Sequence, residues 1–309
     1  MALPLIDADE LARLLPMPAA IDSLERGFGD PALPKAPDRT RVEVAGGELL
    51  LMPAAGAGGV GVKLVTLNPS NPERGLPFVQ AAYVLFDPGT LSPEAVLDGT
   101  ALTTLRTAAV SGLATRHLAR PDASRLVIFG AGATATAHLD AMVAVRPIRS
   151  LRVVSRSPGP AEALATRARD AGLDAAVAAP EAVAEADVVC TCTTSERPVF
   201  DGTLLAPGTH INAIGAYRPD MRELDDVAVG RARIVVETRE AAMAEAGDLL
   251  IPLRAGRIGP GHIAADLGEV VRGAEVRRSS EDVTLFKSVG IAPEDLMVAR
   301  AVLEARGRP

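Results

Sequence analysis

A chain of 309 residues, 48% of them hydrophobic and 23% charged, is long enough for one large domain or two ordinary ones and has the composition of a globular rather than a disordered protein. Its formal net charge of −7, with no Lys/Arg-rich block, argues against nucleic acid or an anionic membrane surface as the main partner. No apolar run reaches the ~18 residues of a membrane helix. Asp7, Asp9 and Glu10 stand where a secretory leader would be basic and then apolar, so a cytoplasmic location is expected.

Asp7 followed by Glu10 has the spacing of a capping box ahead of a short helix, and Pro18 suits the first turn of a second helix through Phe28. Residues 31–40 are Pro-rich and read as a loop. RVEVA and ELLLM then flank Gly46 and Gly47 as the arms of a hairpin, a register that sets Arg41 opposite Met52. The runs VGVKLVTL and Phe78 to Phe86 add strands before any long helix, which suggests an α+β module. Residues 100–118, rich in helix formers, lead into the second half of the chain.

There the stretch RLVIFGAGATATAHL, Arg125 to Leu139, is the run whose spacing specifies a ligand. Four apolar residues make a short buried strand, and Gly130, Gly132 and Ala135 open the following helix as G-x-G-x-x-A. The chemistry needs a tight turn at Gly130, close backbone approach to a pyrophosphate at Gly132, and close helix–strand packing at Ala135. The helix N-terminus favours the anion. Beyond it, strands at 151–155, 175–177, 187–192, 210–214 and 233–237 alternate with helical segments, which predicts a parallel, doubly wound Rossmann sheet. Cys190 and Cys192 lie in one of these runs, too close for an ordinary disulfide and without zinc-site spacing, and read as buried strand residues. The last helix, after a Gly-Ile-Ala-Pro break, is expected to return to the first module.

Three positions stand out chemically. The second strand of the nucleotide domain ends in Ser155-Arg156-Ser157, where an acidic residue would select NAD and a basic one accommodates a 2′-phosphate, so NADPH is expected, with NADH possible. A solvated arginine at a strand end is the other reading. Lys63 shares one strand face with Gly61, Val65 and Leu67; it is either a substrate or proton-transfer residue or an edge-strand lysine reaching water. Arg106 sits in the apolar stripe of Leu102, Ala109, Val110 and Leu113, which suits either a bidentate hold on a substrate carboxylate or an internal salt bridge. The four histidines show no metal-site spacing, and no G-x-S-x-G elbow is present, so neither a metal nor acyl-transfer chemistry is assigned.

The segments GVKLVT (61–66), NPERGLP (71–77), LDGTALTTLRTAAVSGLAT (97–115), PGTHINAIGAYRPDMRELD (207–225), EAGDL (245–249) and TLFKSVGIAPED (284–295), with MP at 52–53 and GAG at 130–132, closely resemble the ornithine cyclodeaminase/mu-crystallin family over nearly the whole chain. The resemblance implies a homodimer built from a discontinuous substrate and dimerisation domain, residues 1–119 with 286–309, around a dinucleotide-binding domain, residues 120–285. It also implies NAD(P)-dependent chemistry at the α-carbon of amino acids or cyclic imines. Carried over by motif, Arg41, Lys63 and Arg106 match the substrate-carboxylate cluster, Lys63 being suited also to proton delivery. Thr107 and Ser288 match positions on the nicotinamide side. Beside them, Gly130, Gly132, Ala133, Thr134, Ser155, Arg156 and Ser157 are the residues expected to bind the cofactor. Two departures matter. Thr134 stands where many members have Gln, and Tyr217 stands where ornithine cyclodeaminases carry an Asp for the distal amine. A phenol cannot replace a carboxylate there, although Asp220 is close in sequence. Ketimine reduction is therefore the expected activity. An ornithine or lysine cyclodeaminase, an alanine-dehydrogenase-like enzyme and a non-catalytic binding protein are the alternatives.

Overall fold

The computed structural model describes residues 3–307 apart from 35, 38 and 57, and the chain divides into two compact units, residues 1–106 with 291–309 and residues 107–290. The first unit opens with β1 (Leu5–Ile6), α1 (Ala8–Leu14) and α2 (Met17–Gly29). Asp7 caps α1 by accepting the Glu10 amide at 2.9 Å, and Pro18 occupies the first turn of α2. Then come β2 (Thr40–Val44), β3 (Gly47–Gly56), β4 (Gly59–Leu67), β5 (Val79–Phe86) and β6 (Pro93–Asp98), and α3 (Gly99–Leu118), which carries the boundary between the units at 106/107. The strands form one sheet in the order β1-β6-β5-β4-β3-β2, antiparallel except for β1 against β6.

The β2–β3 hairpin is real, but Arg41 faces Leu50 rather than Met52. The closing pair is Val44 with Gly47, so the two turn residues are Ala45 and Gly46, and Gly46 supplies the positive φ of +84°. Gly47 belongs to the strand for a different reason: a Cβ there would overlap the Leu67 carbonyl oxygen of the adjacent strand. The slip is two residues, so each side chain keeps its face.

One face of this sheet is the core of the unit. Leu50, Met52 and Ala54 of β3, Val65 and Leu67 of β4, and Tyr83 and Leu85 of β5 are all buried. The opposite face carries Leu5, Val42, Val44 and Leu64, each more than a third exposed, in register with half-buried Leu51, Val62 and Val84.

The second unit contains β7 (Arg125–Phe129), α4 (Ala133–Val145), β8 (Ser150–Val154), α5 (Pro158–Asp170), β9 (Asp174–Val177), β10 (Val188–Thr191), β11 (His210–Ala213), α6 (Asp226–Arg231), β12 (Arg233–Val236), α7 (Arg239–Glu245), α8 (Gly247–Arg254), β13 (Ile263–Asp266), α9 (Leu267–Val271) and β14 (Thr284–Lys287). All its strand pairs are parallel, in the order β13-β12-β14-β11-β10-β7-β8-β9. The expected doubly wound sheet is therefore present, with its order reversing between β7 and β10, where open α/β sheets bind ligands. β14 lies inside this sheet, although its four residues looked like the start of a tail. The last helix, α10 (Ala292–Arg306), packs on α2, β3 and β4 and so completes the first unit. Among the described residues no helix is long and apolar enough to cross a membrane.

Replacing Gly47 with Ala forces the new methyl against a backbone carbonyl that cannot move without shifting β4. The variant should lose about 1–3 kcal/mol, as overpacking usually costs, read as a lower urea midpoint at unchanged slope.

Candidate active site

In the first unit the chemistry gathers around β4, an inner strand of the sheet, so Lys63 is not an edge lysine reaching water. It is 1% exposed, and its Nζ lies 2.9 and 2.8 Å from the two carboxylate oxygens of Asp295. Arg106, from α3, donates through Nε to Asp295 Oδ1 at 3.0 Å and through Nη1 to Glu294 Oε2 at 2.7 Å. The internal salt bridge considered for Arg106 is therefore present. Both acids are fully buried in the first turn of α10, where the positive end of the helix dipole favours them. Burial pushes the Lys63 ammonium down to about 8; Arg106 adds to the shift and Asp295 opposes it. Tyr83, the cross-strand neighbour of Lys63, is buried with its hydroxyl over Gly61, where a Cβ would collide with it. Burial first, and the Asp295 charge second, hold this phenol well above its ordinary range.

Arg41 does not join this cluster. It lies on the edge strand β2, two strands from Lys63, and pairs with Glu48. Arg39, two residues earlier and half-buried, is the additional cation whose charge reaches Lys63 and helps to lower it. Sequence reasoning missed Arg39 because it lies in a Pro-rich loop with no periodicity. It missed Glu294 and Asp295 as well, although acids in a first helical turn after Pro293 are a legible signal.

In the second unit, Gly130 follows β7 with φ of +107°, and a Cβ there would lie 2.6 Å from the Cys192 carbonyl oxygen after β10. Glycine is thus required on both counts. Gly132 has an ordinary φ of −88°, and a Cβ there would meet nothing within 4 Å. Among the described residues no neighbour requires glycine at 132, and the open space beside it has room for a group from outside. Gly132 also caps α4 without a side-chain hydrogen bond, and Ala133 and Thr134 form the first turn, which leaves backbone donors for an anion. Ala135 is completely buried against the sheet. This cradle fits the pyrophosphate of a dinucleotide.

Ser155, Arg156 and Ser157 follow β8. The Ser157 amide donates to Ser155 Oγ at 3.2 Å, and Arg156 is exposed with no ion pair among the described residues. Thr107 is half-buried on α3, its carbonyl accepting the Ser111 hydroxyl at 3.2 Å. Ser288 is buried and donates to Glu237 Oε1 at 2.6 Å, while the Val289 and Gly290 amides bond the same carboxylate at 2.9 Å each. Its hydroxyl therefore has a protein partner. Tyr217 is half-buried on the loop after β11, whereas Asp220 is largely exposed and paired with Arg218 at 3.2 Å. That pairing turns the nearby carboxylate to solvent instead of standing in at 217. Cys190 is buried, its thiol pushed up to about 12 by burial, and burial also raises Cys192. Among the described residues no group of His, Cys, Asp and Glu could hold a metal ion.

A parallel sheet with this turn at its point of reversal, in a chain whose first unit buries a lysine and an arginine against two carboxylates, defines an α/β protein of the dinucleotide-binding class. More narrowly, the chain belongs to the ornithine cyclodeaminase/mu-crystallin family, whose model matches residues 6–307. It is 40% identical to a Delta(1)-pyrroline-2-carboxylate reductase of Bacillus cereus over 82% of this chain and 80% of that one. It is 39% identical to the ketimine reductase mu-crystallin of Rattus norvegicus over 94% and 90%. Among solved structures it resembles Thermococcus litoralis Delta(1)-pyrroline-2-carboxylate reductase in complex with NADH and L-proline (TM-score 0.94, 37% identity, 98% and 97% covered). It also resembles an archaeal alanine dehydrogenase dimer with bound NAD (TM-score 0.92, 35% identity, 99% and 96% covered).

Two histidines of the second unit give a pH test of its packing. His138 lies 2.7 Å from the Thr134 carbonyl and 2.9 Å from Ser111 Oγ, and burial pushes it down to about 4. Burial, then Arg277, push His210 down to about 3. Both rings stay neutral in the folded chain and take up protons on unfolding. Their contribution to stability is thus whole above the ordinary histidine value of about 6.5 and declines as pH falls through the folded values. The melting temperature should drop between pH 6.5 and 4; a level curve across that window would contradict neutral buried rings.

Proposed function

We propose that this protein reduces cyclic or N-alkyl ketimines of 2-oxo acids, such as pyrroline-2-carboxylate or piperideine-2-carboxylate, to L-amino acids, with NADPH as the preferred cofactor and NADH as a possible one. The observation that carries the reading is the placement of Lys63 on an inner strand, buried with its Nζ 2.9 Å from Asp295 Oδ1; burial pushes this ammonium down to about 8, so that it holds a proton at neutral pH and releases it readily. Its neighbours include a guanidinium on α3 and a second one at Arg39, groups of the kind that hold a carboxylate. When bound, the reduced nicotinamide would supply a hydride, one proton with two electrons, to the imine carbon. Gly130, Gly132, Ala133 and Thr134 would hold its pyrophosphate, with Thr107 and Ser288 expected on the nicotinamide side.

Arg106 and Arg39 orient the substrate carboxylate, and Lys63 delivers the proton that the imine nitrogen needs to become an amine. Asp295 holds Lys63 in place and keeps its pKa from falling further. Arg156, exposed after β8, supports NADPH as a partner for the 2′-phosphate. Tyr217 in place of an acid, with Asp220 turned to Arg218, weighs against a cyclodeaminase. The likeness to alanine dehydrogenases keeps an amino acid dehydrogenase as the second reading. We infer further that the protein is a homodimer joined through the exposed apolar face of the six-stranded sheet, a patch of the kind that soluble chains cover.

A panel assay of NADPH and NADH oxidation decides among these readings. Turnover with pyrroline-2-carboxylate or piperideine-2-carboxylate is expected, faster with NADPH, and the reductive rate should fall as pH rises through about 8 because Lys63 then loses its proton. Turnover with pyruvate and ammonia but neither cyclic imine would favour the dehydrogenase, and no turnover on any would end the proposal. The two candidate arginines separate as well. Arg39→Ala should raise KM for the imino acid by about tenfold or more, while Arg41→Ala should leave it within about twofold; the reverse result would restore Arg41 as the carboxylate ligand.

A further inference from the structure

Glu223 is a buried carboxylate of the second unit that no step above uses. It is 0% exposed. Its Oε1 accepts the Thr193 amide at 2.8 Å and the Thr193 hydroxyl at 2.7 Å, and its Oε2 accepts the Gly215 amide at 2.7 Å and the Thr191 hydroxyl at 2.8 Å. Thr191 ends β10 and Thr193 lies in the loop after it, while Gly215 lies in the loop after β11, the neighbouring strand. One carboxylate therefore ties two adjacent loops at the C-terminal ends of parallel strands.

The tie is itself buttressed. Asp248 accepts the Glu223 and Leu224 amides at 2.7 and 2.9 Å and pairs with Lys287 Nζ at 3.1 Å. Lys287, the last residue of β14, donates in turn to the Ala213 and Ala216 carbonyls at 3.1 and 2.6 Å. Space is as constrained as charge: a Cβ on Gly215 would collide with the Thr193 carbonyl oxygen. The loop after β10 meets the fingerprint turn at Cys192, and the loop after β11 carries Tyr217 two residues beyond the tie.

We propose that Glu223 is a positioning residue that sets the spacing of the loop after β10 and the Tyr217-bearing loop after β11. The chemistry demands an acceptor-only group of this length. The two backbone amides approach different oxygens and cannot reverse, so a glutamine would set its NH2 against one of them in either orientation. An aspartate is one methylene too short to reach both loops. Because the carboxylate is fully enclosed and its oxygens are occupied by protein donors, it acts through the loops and not on a ligand. The kinetic arm of the test rests on the reductase reading; the exchange arm does not.

In the full-length protein, Glu223→Gln should speed amide hydrogen exchange in residues 191–197 and 213–224 together by about tenfold or more, leaving 130–137 unchanged. Dinucleotide affinity, read by titration of NADPH and NADH, should stay within about twofold, while kcat/KM for the cyclic imine falls by about tenfold or more. Unaltered exchange, or a loss of dinucleotide affinity in step with turnover, overturns the proposal. Should the glutamine variant fail to fold, Thr193→Ala removes one hydroxyl from Oε1 and Thr193→Ser keeps it. Alanine should reproduce the exchange and kinetic changes in weaker form and serine should restore wild-type behaviour; equal behaviour of the two also overturns the proposal. If the wild-type protein reduces no imine, the reductase reading alone fails, and exchange with dinucleotide affinity decides the role of Glu223.

Discussion

The four-membered ion cluster of Lys63, Arg106, Glu294 and Asp295 is the constraint on which the first unit depends. Two cations and two carboxylates buried together are neutral as a set, and each is intolerable alone, because an unpaired buried charge costs several kcal/mol. The arrangement joins strand β4, helix α3 and helix α10, three elements far apart in sequence. It also fixes the working state of Lys63. Burial alone would strip the proton, the adjacent arginine pushes the same way, and Asp295 pulls back, leaving an ammonium poised near 8. The contacts that hold the unit together thus also set the proton affinity of Lys63.

The second unit solves a different problem, how to keep irregular backbone in order at the ends of short parallel strands. Its answer is buried acids that accept backbone amides: Glu223 and Asp248 on one side, Glu237 on the other, the last holding the amides of Val289 and Gly290 just before the chain leaves the unit. Glycines complete the arrangement where backbone meets backbone, at Gly130 against Cys192 and at Gly215 against Thr193. Gly132 differs from these two in that a Cβ there would meet nothing within 4 Å.

Much of this was legible in the sequence. The G-x-G-x-x-A turn and the alternation after it defined the parallel sheet, since apolar runs bounded by turn residues report period and burial directly. Lys63 and Arg106 were conspicuous because a charge in an apolar stripe demands a partner. What stayed hidden was the identity of the partner. Asp295 lies 232 positions from Lys63, and no local pattern links them. The hairpin register slipped for a local reason, since two consecutive glycines do not reveal which one turns and which one makes room for Leu67. Arg39 and Arg41 differ by a two-residue step in a Pro-rich approach where spacing carries no information. β14 escaped notice because four residues ending in lysine do not look like a central strand until the carbonyls that receive that lysine are known.

The placement of α10 has a consequence for the order in which the molecule is made. Ribosomal synthesis proceeds from the N-terminus, so the six strands of the first sheet emerge carrying Lys63 long before Asp295 exists. The intervening residues 107–290 form a contiguous unit that can fold as it emerges. The first unit cannot close in the same way: its core lacks a helix and its lysine lacks a counter-charge until the final segment arrives. A chain broken off before residue 295 has no means of burying Lys63 with its charge balanced.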